Sequence, residues 1–143
     1  MELTTFSMVL RYTLQLEDQT AQFYRTLAAN DKLTRARELF TKFANESDRR
    51  RKDLERTARE SVDHSLLEPV SGLLEETYKL TTTVPNGTST PDAISAAKTL
   101  EETMQRFYTE AGDKIKFISN VSRLYRRYSQ DKAKALASLQ DFA

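Results

Sequence analysis

Four long segments of the chain carry apolar residues every three or four positions. This spacing places their side chains on one face of an α-helix. The inner faces predicted from this spacing cover residues 6–28, 36–58, 94–118 and 121–139. Only 3 Gly and 3 Pro occur among the 143 residues, and both types disfavour helix interiors. The pattern predicts four long helices, the first ending near Asn30 and Asp31 and the last beginning near Ser119 or Asn120.

The connection between the second and third segments has a different character. Apolar residues between positions 66 and 80 recur at helical spacing, and Pro69 suits the first turn of a helix. We therefore expect a short crossover helix here. Residues 81–91 then form a loop rich in turn residues and threonine, and Thr90 or Asp92 would cap the next helix.

The composition limits the chemistry open to such a protein. Without Cys the chain has no disulfide, thiol nucleophile or Cys-ligated metal site. A single histidine, His64, excludes any site that needs two imidazoles from one chain, and we expect no role for it. At this length we predict one domain, an all-α four-helix bundle over residues 1–143 made of two hairpins and a long crossover.

The N-terminal segment lacks the basic start, continuous apolar stretch and cleavage site of a signal peptide. No apolar run approaches the about eighteen residues of a membrane span. A net charge of +1 gives no broad attraction to nucleic acid or acidic lipid. We expect a cytoplasmic protein that does not bind membranes.

The two halves of the chain share a motif. The first half reads Leu-Glu-Asp-Gln-Thr-Ala-Gln-Phe-Tyr from position 16, and the second reads Leu-Glu-Glu-Thr-Met-Gln-Arg-Phe-Tyr from position 100. Both place Leu-Glu and Phe-Tyr at the same spacing, which indicates an internal repeat. The repeated glutamates are Glu17 and Glu101, and the repeated tyrosines are Tyr24 and Tyr108.

This motif resembles the first and third helices of the rubrerythrin branch of the ferritin-like superfamily. The resemblance covers most of the chain and implies a ferritin-like four-helix bundle. It also implies that Glu17 and Glu101 correspond to metal-binding glutamates. In that family, a Glu-x-x-His pair on each of the second and fourth helices completes a site for two metal ions, and similar members form homodimers.

The chain departs from the family pattern at the remaining ligand positions. On the second helix, Ser47 and Arg50 replace the glutamate and the histidine. On the fourth helix, two alignments one residue apart are possible, and neither supplies a histidine. They select either Ser129 and Lys132 or Tyr128 and Asp131.

Charge predicts what replaces the metal. Two carboxylates about 5 Å apart repel by roughly 3 kcal/mol at an effective dielectric of 20, so a buried pair needs cations. Arg50 and Lys132 bring the charge to zero, and two small serines leave room for their long side chains. We predict a buried salt-bridge cluster without metal or other cofactor. It comprises Glu17, Ser47, Arg50, Glu101, Ser129 and Lys132.

Two other arrangements fit the residues. In the first, Arg50 and Lys132 extend to solvent, and the glutamates bond to tyrosines while they are protonated or linked to water. Alternatively, carboxylates alone would hold a hard cation, from Glu17, Glu46, Glu101 and Asp131. The tyrosines near the glutamates are predicted to be hydrogen-bonded core residues, namely Tyr24, Tyr108, Tyr125 and Tyr128.

These features favour a binding protein, a structural or regulatory interaction module, over an enzyme. The first helix is apolar over a wide arc that a crossover helix or a second subunit would cover, so the partner is a homodimer mate or another protein. The arc comprises Phe6, Val9, Leu16, Phe23 and Leu27. The alternatives are an atypical di-iron or di-manganese oxidase or peroxide reductase, and a nucleic-acid-associated protein using the basic runs 49–52 and 123–128. Because helical geometry scatters such runs around the axis, we expect solvated faces instead.

Overall fold

A computed structural model describes residues 1–60, 68–85 and 87–142. Its four long helices are α1 (Phe6–Ala29), α2 (Arg37–Glu60), α3 (Thr90–Lys114) and α4 (Ser119–Phe142). The predicted all-α four-helix architecture is confirmed. α1 packs mainly against α2 and α3 mainly against α4, which gives two hairpins. Within the described ranges no helix is long and apolar enough to span a membrane.

Local sequence sets the helix ends. The first helix ends and the last begins within a residue of the predicted positions. The cap of α3 differs from the prediction, because the side chain of Ser89 accepts a hydrogen bond from the backbone N–H of Asp92 at 3.2 Å. Neither Thr90 nor Asp92 is the cap. Thr90 is instead the first helical residue and Pro91 follows it, where the missing N–H leaves no helical hydrogen bond unmade.

The described part of the crossover is not the predicted helix. Residues 68–85 contain no α-helix and are irregular, with a left-handed residue at Gly72, apart from a four-residue 3₁₀ helix, Glu75–Tyr78. The crossover pairs with the N-terminal residues, which occupies backbone groups that a helix would have bonded internally. Three backbone hydrogen bonds make this pairing: Leu3 N–H to Leu73 C=O at 2.8 Å, Val70 N–H to Thr4 C=O at 2.9 Å, and Glu75 N–H to Met1 C=O at 3.0 Å.

The apolar arc of α1 is covered within the chain. Its five residues, from Phe6 to Leu27, are at most 3% exposed. On the same helix, the hydroxyl of Tyr12 donates to the backbone carbonyl of Glu75 in the crossover at 2.8 Å, and its ring meets the edge of Phe107. Because neighbouring parts of the same chain bury this arc, it supplies no argument for a second subunit.

Candidate functional site: a buried charge cluster

Four charged side chains meet inside the bundle, one from each helix. Glu17 comes from α1, Arg50 from α2, Glu101 from α3 and Lys132 from α4, and each residue is at most 7% exposed. Each lies on the inner stripe of its helix among apolar residues, so the helical period turns it towards the core. The four charges sum to zero. We call these four residues the charge cluster.

Arg50 holds Glu17 from the neighbouring helix. Its Nε donates a hydrogen bond to Glu17 Oε2 at 2.8 Å. Its Nη2 donates to the hydroxyl of Ser47 at 3.2 Å, and Ser47 is itself fully buried one turn earlier on α2. The small serine therefore leaves space for the guanidinium and also orients it.

Lys132 lies between the two glutamates. Its Nζ is 3.1 Å from Glu101 Oε2 and 3.9 Å from Glu17 Oε1. The contact with Glu101 is not aligned as a hydrogen bond and the contact with Glu17 is too long for one, so these three atoms have no hydrogen-bond partner among the described residues. The lysine therefore holds both carboxylates by electrostatic attraction alone.

The sequence repeat produces reciprocal hydrogen bonds between α1 and α3. Tyr24 donates to Glu101 Oε1 at 2.9 Å, and Tyr108 donates to Glu17 Oε2. Each tyrosine follows the glutamate of its own helix by seven residues and bonds to the glutamate of the other helix. This exchange requires α1 and α3 to run antiparallel, related by an approximate twofold axis through the charge cluster.

The two tyrosines stay protonated and therefore donate. Burial first, and then the charge of Glu101, raises the pKa of Tyr24 well above its ordinary value. Burial and the charge of Glu17 raise the pKa of Tyr108 in the same way. A phenol with a raised pKa next to a carboxylate keeps its proton, and the hydrogen bond then favours the ionised form of the glutamate.

The environment of Glu17 keeps it ionised at neutral pH. Burial by itself raises the pKa of this carboxyl group. The charges of Lys132 and Arg50, followed by hydrogen bonds from Tyr108 and Arg50, outweigh burial, and the pKa of Glu17 lies below its ordinary value. The buried carboxylate is thus compensated by cations and not by uptake of a proton.

The other predicted site residues lie around the cluster. Tyr125 is fully buried, and its hydroxyl shares a hydrogen bond with Thr13 Oγ1. Tyr128 is 2% exposed, and its hydroxyl has no hydrogen-bond partner in the described part of the chain. Ser129 on α4 is half-buried, and its hydroxyl shares a 2.7 Å hydrogen bond with the hydroxyl of Thr109 on α3. Ser129 thus bonds to a residue outside the charge cluster. Thr13 was not among the predicted site residues. Its position on the inner face of α1, one turn before Glu17, was the feature of the sequence that could have indicated it.

The carboxylate-only metal site does not form. Glu46 is half-buried, lies 3.9 Å from the ammonium of Lys42, and lines a groove between α2 and α4 together with Asp131. No group of three or more acidic or histidine side chains lies close enough to hold a metal ion within the ranges that the structure describes. His64 lies outside those ranges. Because Arg50 and Lys132 already pair with Glu17 and Glu101, these residues do not fit a di-metal centre.

The basic run on α2 is dispersed, as its helical geometry predicts. Arg49 and Lys52 are exposed, whereas Arg50 is buried in the charge cluster. Arg51 pairs with Asp18 on α1 at 2.6 Å. The run therefore presents no continuous basic face.

Comparisons of the chain with protein-family models, with curated proteins and with solved structures find no significant match. The functional argument therefore depends on the geometry of the charge cluster.

Proposed function

We propose that this protein is a ferritin-like, rubrerythrin-like bundle in which the charge cluster replaces the di-metal centre, and that it acts in the cytoplasm as a structural or regulatory protein-interaction module. The observation that supports this proposal is the position of the two cations. Arg50 bonds to Glu17 at 2.8 Å, and Lys132 lies within 3.9 Å of both glutamates. By the family resemblance, these cations stand where histidines would bind metal.

The charge cluster can specify how the four helices align. Every helix contributes one charge, so a slip of one helix would leave a buried charge without its partner. Leaving a buried ion unpaired costs about 3–5 kcal/mol, which is a large part of the stability of a typical domain. The cluster therefore favours one alignment of the bundle without needing a metal ion.

The same geometry argues against catalysis at the cluster. The glutamates and Lys132 are at most 1% exposed, so a substrate cannot reach them in this conformation. Glu17 is held as an ion, and the two tyrosines that bond the glutamates hold their protons. These groups are arranged for mutual compensation, which supports a structural role.

The surface favours a polar and reversible partner contact. In the described part of the chain, the large apolar side chains that are strongly exposed are Met1 and Leu74. Obligate dimers usually bury extensive apolar surface. We therefore propose a homodimer mate or another protein that binds through polar contacts.

Metal analysis tests the replacement of the metal centre. After growth with added iron and manganese, we expect well under one metal ion per chain in the purified protein. The matched variant combines Ser47→Glu, Arg50→His and Lys132→His, all at buried positions of the cluster, and we expect it to bind more iron than the wild type. About two metal ions per wild-type chain would contradict the proposal.

Sedimentation equilibrium over a range of protein concentrations tests the interaction. A concentration-dependent monomer–dimer equilibrium that weakens with added salt would support a polar contact. Purification of the protein from its native cells with one partner at fixed stoichiometry would support a heterologous contact. A strict monomer that recovers no partner would contradict the interaction module.

A further inference from the structure

An open groove lies beside the charge cluster, between α2 and α4. Its volume is about 340 Å³, which falls within the range of small-molecule sites. Buried residues form its floor, and exposed or half-buried residues form its rim. The floor residues are Phe43, Arg50, Tyr128 and Ala135.

The rim carries an excess of positive charge. Some of its charges are already compensated, since Lys42 lies 3.9 Å from Glu46 and Asp53 lies 3.0 Å from Arg56 outside the groove. The rim residues without an ion-pair partner among the described residues are three cations and one acid: Arg49, Arg127, Lys134 and Asp131. The groove therefore has about two positive charges available to a ligand.

Tyr128 adds an unused hydrogen-bond donor. Its hydroxyl has no partner in the described ranges and is shielded from solvent, so a ligand reaches it only when the side chains of the rim move aside. Burial, followed by the charge of Asp53, raises the pKa of Tyr128 above its ordinary value, so the hydroxyl remains a donor. The guanidinium of Arg127 lies over the ring, 5.7 Å from its centroid.

We propose that this groove binds a small phosphate monoester, with the phosphate near Arg127 and the Tyr128 hydroxyl, and the organic group over Phe43 and Ala135. A phosphate monoester carries about two negative charges at neutral pH, which matches the excess charge on the rim. Guanidinium groups bond phosphate oxygens in pairs. The apolar floor favours an ester over inorganic phosphate. This site goes beyond the interaction module and is tested independently of it.

Isothermal titration calorimetry at low salt tests the site, with phenyl phosphate as the probe. We expect saturable binding with a Kd below about 1 mM. Benzoate, which has one charge, and inorganic phosphate, which has no apolar group, should each bind about tenfold more weakly. No saturation by about 10 mM phenyl phosphate, or benzoate or inorganic phosphate binding as tightly as phenyl phosphate, would overturn the proposal.

Substitutions locate the binding. Tyr128→Phe retains the ring, so the variant should fold, and we expect it to weaken phenyl phosphate binding about tenfold. Arg127→Gln should weaken binding by a similar factor, whereas Arg123→Gln, on an exposed part of α4 that does not line the groove, should leave it unchanged. Circular dichroism verifies that each variant is folded. Unchanged affinity in both the Tyr128 and Arg127 variants would overturn the proposal.

Discussion

Removing Glu17 should destabilise the protein strongly, because Arg50 and Lys132 would then remain buried without their shared counter-ion. At an effective dielectric of 20, Glu17 attracts Arg50 at 2.8 Å by about 6 kcal/mol and Lys132 at 3.9 Å by about 4 kcal/mol. Most of this attraction offsets the desolvation of the three groups. Removal of one member of a buried ion set typically costs about 3–5 kcal/mol, and we expect Glu17→Ala to reduce the free energy of unfolding by that amount.

Urea unfolding followed by far-UV circular dichroism measures this loss. The matched control is Glu102→Ala, which removes an exposed acid from α3 and should change the free energy of unfolding by less than about 0.5 kcal/mol. If Glu17→Ala is too unstable to measure, Glu17→Gln provides a milder change, because it removes the charge and keeps a hydrogen-bond acceptor. A loss below about 1 kcal/mol would refute the reasoning, since it would mean that the cations find other compensation.

A double-mutant cycle separates the charge effect from lost packing. Lys132→Met removes the ammonium and retains most of the side-chain volume. Combined with Glu17→Ala, it should cost less than the sum of the two single changes, because the second substitution removes a stranded cation. Strict additivity would show that the two side chains are energetically independent.

Three further predictions follow from named contacts. The pKa of Glu17 is lowered in the folded state, so its stabilising effect is fully present above the unfolded value of 4.5 and is lost as the pH falls through the lower folded value. Urea midpoints measured from neutral pH downwards should therefore fall more steeply in the wild type than in Glu17→Gln. Equal slopes in the two proteins would contradict this. Tyr108→Phe removes a hydrogen bond to that carboxylate and should cost about 1.5–3 kcal/mol in urea unfolding, whereas no loss would mean that the bond is replaceable. Gly72 has a φ of +84°, a left-handed conformation that disfavours a Cβ, so Gly72→Ala should cost about 1 kcal/mol in thermal unfolding, and an unchanged melting temperature would show that the turn relaxes.

Helical periodicity was sufficient to predict the four helices, because each buries a continuous stripe. The same criterion failed in the crossover. Apolar residues there have helical spacing, but Val70 and Leu73 are buried from an irregular, non-helical backbone that pairs with residues 3 and 4. Those partners lie almost seventy positions away, so no local pattern could reveal them, and tertiary hydrogen bonds overrode the local preference.

The members of the charge cluster could be predicted because a charged residue on an inner stripe requires a partner in the core. Their contacts could not be predicted in the same way. The stripes do not show that Lys132 lies between both glutamates, or that Ser129 turns away to bond with Thr109. Such details depend on small rotations of one helix against the next, which change a side chain's neighbours without changing its stripe.

The two halves of the bundle compensate their equivalent glutamates differently. α1 and α3 repeat the same motif and exchange tyrosine hydrogen bonds, whereas α2 and α4 contribute unlike cations. Arg50 binds Glu17 through an aligned hydrogen bond and is oriented by Ser47. Lys132 is a compact charge without an aligned bond, so it can act on both carboxylates at once. Because Glu17 already has the guanidinium, the lysine lies closer to Glu101, and the unlike cations thereby break the twofold symmetry of the repeat.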